Sequence, residues 1–154
     1  MNGGLKTEAG GRTAEAGGLK TEAGNQMAAR QISSFRDLRV YQAAIELQPM
    51  VFEISKSWSR EEKFSLIDQV RRSSRAVGAN LAESWAKRKY PLHFVSKLTD
   101  ADGELQETSH WLTTALACGY ITDAVHTELQ SNLKEIGKML GKMMSMPEKF
   151  SRAD

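Results

Sequence analysis

The pair of residues best suited by type and spacing to catalysis is Glu107 and His110, a Glu-x-x-His sequence. Residues three apart share one face of a helix, and two such pairs can hold a di-iron centre inside a helical bundle. The chain has no second Glu-x-x-His, and Asp123-x-x-His126 is a poor substitute because it lies at a predicted helix start. The helical wheel also turns His110 away from the apolar stripe. We therefore interpret the pair as surface residues, with a carboxylate/histidine metal-binding bundle enzyme as the alternative.

The single cysteine, Cys118, is the other candidate for catalysis. It lies near the predicted end of a helix, where the helix dipole disfavours a thiolate. No glycine-rich loop follows a predicted strand, so the sequence offers no phosphate-binding loop either. We therefore predict a protein that is not an enzyme and has no catalytic residues, no metal ligands and no cofactor.

Three arginines, Arg71, Arg72 and Arg75, cluster early in one predicted helix. Guanidinium groups can bind phosphates through two parallel hydrogen bonds, which is one interpretation of the cluster. The other is structural, because an acidic ridge on the next helix could pair with Arg71 or Arg75, within the bundle or across a subunit boundary. We assign Arg71 to such pairing. The ridge consists of Asp100, Glu104 and Glu107.

A second basic group follows the same helix, where Lys87, Arg88 and Lys89 precede Tyr90. An aromatic ring can stack on an unpaired base, while a charge run at a helix end can also be merely solvated. Lys87 could also pair with Glu83, four residues before it. The candidate nucleic-acid-binding residues are Arg72, Arg75, Lys87, Arg88, Lys89 and Tyr90.

Helical spacing of apolar residues positions these groups on four predicted helices, at about 35–58, 59–87, 92–118 and 123–146. The predicted stripes are Phe94, Leu98, Ala101, Leu105, Thr108, Leu112 and Ala115 in the third helix, and Val125, Leu129, Leu133, Ile136, Leu140 and Met143 in the fourth. Ser33 or Ser34 is the predicted cap of the first helix, Ser59-x-x-Glu62 a capping box for the second and Gly119 the C-terminal cap of the third. No segment alternates with a period of two, so we predict no strands. Short connections favour antiparallel neighbours, hence an all-α, up-down-up-down four-helix bundle.

The first helix carries two apolar stripes, which indicates that it is covered on two sides. One stripe is Leu38, Tyr41, Ile45 and Phe52, and the other is Val40, Ala44, Leu47, Val51, Ile54 and Trp58. The second helix has small residues opposite its own stripe, where another helix could come close. We therefore predict that the chain forms a homo-oligomer. The predicted interface residues are Val51, Ile54, Ala76, Ala79, Asn80 and Glu83.

Residues 1–26 form a repeat tract in which GGLKTEAG occurs at 3–10 and returns at 17–24. Its glycines oppose a continuous helix, and the tract has little apolar surface to bury. We predict a flexible N-terminal tail over 1–32, the bundle over 33–147 and a short C-terminal tail over 148–154.

Composition sets outer limits on function. The chain has 154 residues, a size that suits one domain, and a formal net charge of only +2. No apolar run approaches the ~18 residues of a membrane span, and the N-terminus lacks the apolar core of a signal peptide. We expect a cytoplasmic protein without membrane contact.

Three segments carry a family resemblance: SFRDLRVYQAAIEL at the start, IDQVRRSSRAVGANLAES in the middle and EIGKMLGKMM at the end. They resemble the four-helix-bundle proteins encoded within 23S rRNA intervening sequences, over roughly residues 33–146. The family motif singles out Asn80 and Glu83.

The resemblance implies a bacterial cytoplasmic protein, a left-handed antiparallel bundle and a ring-like homo-oligomer, a pentamer, with no established enzyme activity. A similar bundle is the accessory protein of diversity-generating retroelements, which binds nucleic acid and a reverse transcriptase. That analogy implies RNA or another nucleic acid, and a protein, as possible partners.

Overall fold

The structure, a computed structural model, describes residues 31–151. Its four α-helices are α1 (Arg39–Ser55), α2 (Leu66–Ala86), α3 (Pro91–Ala117) and α4 (Asp123–Ser145). Each helix packs against the next along the chain, and α1 also packs against α4, so the helices close into a bundle. The described residues contain no strand, and the predicted all-α four-helix bundle is confirmed. None of the described helices is both long enough and apolar enough to cross a membrane.

The predicted stripes of α3 and α4 lie in the core. All seven predicted positions of α3 are buried, and in α4 only the first, Val125, remains partly exposed. One polar member, Thr108 of α3, is satisfied inside the core by donating to the Ser73 hydroxyl of α2 at 2.8 Å. The buried stripes are Phe94, Leu98, Ala101, Leu105, Thr108, Leu112 and Ala115 in α3, and Leu129, Leu133, Ile136, Leu140 and Met143 in α4.

The start of α1 differs from the prediction. Ser34 does form a capping box with Asp37, but it caps a separate 3-10 turn, Phe35–Asp37. Leu38 then adopts an extended backbone, with ψ of 126°, so the α-helix begins only at Arg39. The helix continues through Pro49 and ends at Ser55.

The predicted capping box at the start of α2 is wrong. Ser59 accepts from the Glu61 N–H and caps a 3-10 turn, Arg60–Glu62. The Glu62 carboxylate instead accepts from the Ser65 hydroxyl at 2.6 Å and the Leu66 N–H at 3.2 Å. The first of these hydrogen bonds contributes most to lowering the pKa of Glu62. An acidic group therefore stabilises the N-terminus of α2 from before the helix.

Two glycines have specific roles. Gly78 is buried in α2, where an added Cβ would lie 3.3 Å from the Gln48 amide nitrogen, so it allows α1 to pack closely. Gly119 has a φ of 75° after α3, the conformation that favours glycine at a helix C-terminus, and the predicted cap is confirmed.

The packed part of the chain extends past the predicted boundary at 147, since Phe150 stacks on the buried Phe94 with a centroid distance of 5.7 Å. The predicted N-terminal tail, 1–32, lies outside the described residues except for Gln31 and Ile32. The left-handed twist of the bundle stays a prediction.

Candidate nucleic-acid interface

Arg71 and Arg75 lie on the side of α2 that faces α1. Their spacing of four residues places them on one helical face, and both guanidinium groups lie over the Phe52 ring, at 4.5 and 6.0 Å from its centroid. The Arg71 Nε also donates to the Ser55 hydroxyl at 2.8 Å. Neither arginine forms an ion pair with a carboxylate among residues 31–151. The prediction that Arg71 pairs with the acidic ridge is therefore wrong within one chain, and pairing across a subunit boundary stays a prediction.

Arg72, one residue along, is rotated by about 100° around the helix and faces α3. It forms ion pairs there with Glu104, at 3.4 Å, and with Glu107. The hydrogen bond to Glu107 is the main cause that raises the pKa of Arg72. Partial burial alone would raise the pKa of Glu107, but hydrogen bonds from Arg72 and Trp111 outweigh it and lower the pKa. The charge of Arg72, a predicted nucleic-acid contact, is thus neutralised within the chain.

The residues that connect α2 to α3 form what we call the rim patch: Lys87, Arg88, Lys89 and Tyr90. Lys87, Lys89 and Tyr90 are exposed, Tyr90 by 66%. Arg88 is half-buried: its guanidinium lies 4.4 Å from the Trp85 ring centroid, and its Nη1 donates to the Trp85 carbonyl at 3.0 Å. None of the three cations forms an ion pair with a described carboxylate. Sequence reasoning placed these residues at a helix end, and the structure leaves their charges available.

The carboxylate that could have neutralised Lys87 pairs elsewhere. Glu83 binds Lys97 of α3, with 2.8 Å between the carboxylate and the Lys97 Nζ. The hydrogen bond from Lys97 is the largest cause of the lowered pKa of Glu83, and the charge of Lys87 adds a smaller effect. Lys97 also lies 3.4 Å from Asp100, so one lysine serves two carboxylates.

The predicted interface residues divide into two groups. Val51 has no exposed surface and packs inside the core of its own chain. It therefore cannot contact a second chain in this fold, and its place in the predicted interface is wrong. Ala79 and Glu83 are exposed, and Ile54, Ala76 and Asn80 are partly buried, with the Asn80 amide donating to the Ala76 carbonyl at 3.0 Å. Apart from Val51, the interface stays a prediction.

The Glu-x-x-His pair is not arranged as a metal site. Glu107 accepts from Arg72 and Trp111, and His110 is exposed with its ring against Trp111. His126 lies apart, within 3.2 Å of Thr113 and Gln130. No group of three or more histidine, cysteine, aspartate or glutamate residues within 31–151 could share a metal ion, so the described residues give the alternative of a metal enzyme no support.

Sequence reasoning missed the role of Phe52 as the common contact of Arg71 and Arg75. The signal was present, because Phe52 belongs to one of the two apolar stripes of α1 and is only partly buried, outside the core cluster. It also missed the pair of Glu83 and Lys97, which joins two helices across 14 positions of sequence and has no local signature.

Comparison with known proteins adds two similarities. A family model described as 23S rRNA-intervening sequence protein matches residues 36–142. The bundle is also similar to the crystal structure of a protein of unknown function from the S23 ribosomal protein family of Bacteroides thetaiotaomicron. That similarity has a TM-score of 0.62 and 26% identity, and it covers 69% of this chain and 95% of the other. No curated protein matches the sequence.

Proposed function

Because the chain belongs to the 23S rRNA-intervening sequence protein family, we propose that it is a non-enzymatic, self-associating scaffold that binds single-stranded RNA through the rim patch. The observation that carries the proposal is the charge balance of this patch. Three consecutive cations, Lys87 to Lys89, have no carboxylate partner within ion-pair distance among the described residues, while Glu83 is held by Lys97. Unpaired cations beside an exposed ring are the features that a phosphate backbone with unstacked bases requires.

The geometry of the rim patch favours a single strand over a duplex. Tyr90 presents an exposed ring beside the cations, and the ring of His93 lies 5.8 Å from it. Such a ring can stack on the face of an unpaired, splayed base. A base that is paired and stacked inside a duplex has no free face for this contact. The patch has few groups that could read base edges, so we expect little sequence preference.

Self-association multiplies the patch. One chain has a formal net charge of only +2, so the long-range field of a monomer is weak. In a ring, each copy would add its three rim cations to the same assembly, and several phosphate contacts would act together. Exposed apolar side chains on α1, Ile45 at 42% and Met50 at 41%, support coverage of that helix by a second chain. Light scattering should then report a mass several times 17.1 kDa, with a pentamer expected, and a monomer at all concentrations would contradict self-association.

RNA binding is tested by filter binding of a labelled single-stranded RNA at about 50 and 200 mM salt, the range in which phosphate contacts lose most affinity. We expect salt-sensitive binding by the wild type. The triple variant Lys87→Gln, Arg88→Gln and Lys89→Gln should bind more weakly, with a log–log salt slope about two units shallower, since each single-strand contact contributes about 0.7.

A matched control removes the same charge from the exposed surface of α4, by Lys134→Gln, Lys138→Gln and Lys142→Gln. This control should keep wild-type affinity and slope, and both triple variants should keep the oligomeric mass. If the wild type shows no salt-sensitive binding, or if the two triple variants lose equal affinity, the rim patch is not the RNA site.

A further inference from the structure

A groove of about 500 Å³ lies at the opposite end of α2 from the rim patch. Its lining includes Lys63 and Phe64, just before the helix, and Arg71 and Arg75 on the first turns. Asp68 is the one carboxylate among the lining residues. Arg72 also contributes to the lining, but its charge is neutralised by Glu104 and Glu107. The groove therefore retains an excess of positive charge.

Arg71 and Arg75 are positioned with N–H groups that could bind an anion in this groove. The Nε of Arg71 is fixed by Ser55, and its guanidinium rests on Phe52, which leaves both terminal nitrogens without a hydrogen-bond acceptor among residues 31–151. Arg75 shares the same ring and forms no ion pair with a carboxylate of the described residues. Two cations on one ring repel each other, and a bound phosphate would relieve that repulsion while its oxygens accept hydrogen bonds from the terminal N–H groups.

The groove also presents an exposed aromatic ring. Phe64 is 87% exposed, the largest fraction of any large apolar side chain in the described part of the chain. The Lys63 Nζ lies 5.3 Å from the ring centroid. A single exposed apolar residue is ordinary on a protein surface. A ring near three cations, Lys63, Arg71 and Arg75, that have no ion pair within residues 31–151 matches the combination that binds single strands.

We propose that this groove is a second contact for single-stranded nucleic acid, in which Arg71 and Arg75 bind phosphates and Phe64 stacks on a base. The inference rests on the proposed RNA binding and adds a site that the rim patch does not include. The charge excess selects an anionic polymer, and the exposed ring favours one that carries unstacked bases over an acidic protein.

The test measures dissociation constants by fluorescence anisotropy for a single-stranded RNA and for an abasic sugar-phosphate strand of the same length. Phe64→Ala should weaken RNA binding by about 5- to 150-fold, the range that corresponds to the loss of one stacked base, and should leave binding of the abasic strand unchanged. Phe64→Trp should keep the wild-type affinity for RNA. Arg75→Gln should weaken binding of both strands, because it removes a phosphate contact.

Ile32→Ala is the control, since Ile32 is 44% exposed before α1 and lies outside both the groove and the rim patch. It should bind RNA like the wild type. If the wild type binds RNA and Phe64→Ala binds it equally well, the groove proposal is overturned while the rim patch stands; if the wild type does not bind RNA, both proposals fail. If polyglutamate binds as tightly as RNA and Phe64→Ala changes neither, the groove is a contact for an acidic protein, and the proposal is overturned.

Discussion

At the start of α2, the side that faces α3 and the side that faces α1 carry the same residue type in opposite electrostatic settings. Arg72 meets Glu104 and Glu107 of α3, while Arg71 and Arg75 meet the Phe52 ring of α1. On the first side two carboxylates offset the charge of Arg72, and the ion pairs join two helices, while the second side keeps its positive charge. The residues that the neighbouring helix places against an arginine, rather than the arginine itself, therefore decide whether its charge is paired within the chain or stays available.

The core holds α1 and α3 against the two sides of α2. The largest effect on the free energy of unfolding is therefore expected from Val51→Asp. Val51 is fully buried, and an unpaired carboxylate at that position should cost about 3–5 kcal/mol, a large part of the stability of a small domain. We expect loss of the helical circular dichroism signal and of cooperative melting. Ile45→Asp, at a position 42% exposed on the same helix, is the control and should remain folded. A folded Val51→Asp monomer would instead place Val51 between subunits.

The second largest effect is a difference in stability between variants on the two sides of α2. Arg72→Gln leaves Glu104 and Glu107 without their partner and should lower the free energy of unfolding by about 1 kcal/mol, the upper part of the range for exposed ion pairs. Arg75→Gln removes no ion pair that the described part of the chain contains and should change the free energy of unfolding by less than about 0.5 kcal/mol. Urea denaturation measures both variants. Equal losses would show that the two sides contribute alike to stability.

The smallest effect is on the pH dependence of stability. The pKa of Glu107 is lower in the folded chain than in the unfolded chain, where carboxylates titrate near about 4.3. Its contribution is therefore fully present above that unfolded value and is lost as the pH falls through the folded pKa. We expect the urea concentration at the unfolding midpoint to decrease as the pH falls below about 4.5. The decrease should be less steep in Arg72→Gln, because this variant lacks the cation that lowers the pKa of Glu107. An unchanged pH profile in that variant would show that Arg72 does not lower the pKa of Glu107.

Helical periodicity predicted the core of α3 and α4 almost residue for residue, because each helix has one apolar stripe. It could not decide which of the two stripes of α1 faces inward. Val51 belongs to the stripe that enters the core, and Phe52 belongs to the one that supports the arginines. Both stripes have the same spacing, so only the packing of the other helices distinguishes them.

The charged residues were predictable as a group but not as pairs. Adjacent residues on a helix differ by about 100° in direction, so the choice between Arg71 and Arg72 as partner of the acidic ridge depends on the rotation of α2 against α3. The capping box expected at Ser59 fails for a local reason: residues 60–62 form a 3-10 turn, and the Glu62 carboxylate turns forward to Leu66. Such details depend on backbone geometry that the residue pattern does not contain.

The most direct test of the account is the RNA affinity of Arg72→Gln beside that of Arg75→Gln. Both variants remove one positive charge from the same helix, three residues apart. If unpaired cations bind RNA, Arg75→Gln should bind single-stranded RNA several-fold more weakly, with a salt slope shallower by about 0.7, while Arg72→Gln keeps the wild-type slope. Equal losses and equal slopes in the two variants, or no salt-sensitive binding by the wild type, would contradict the account.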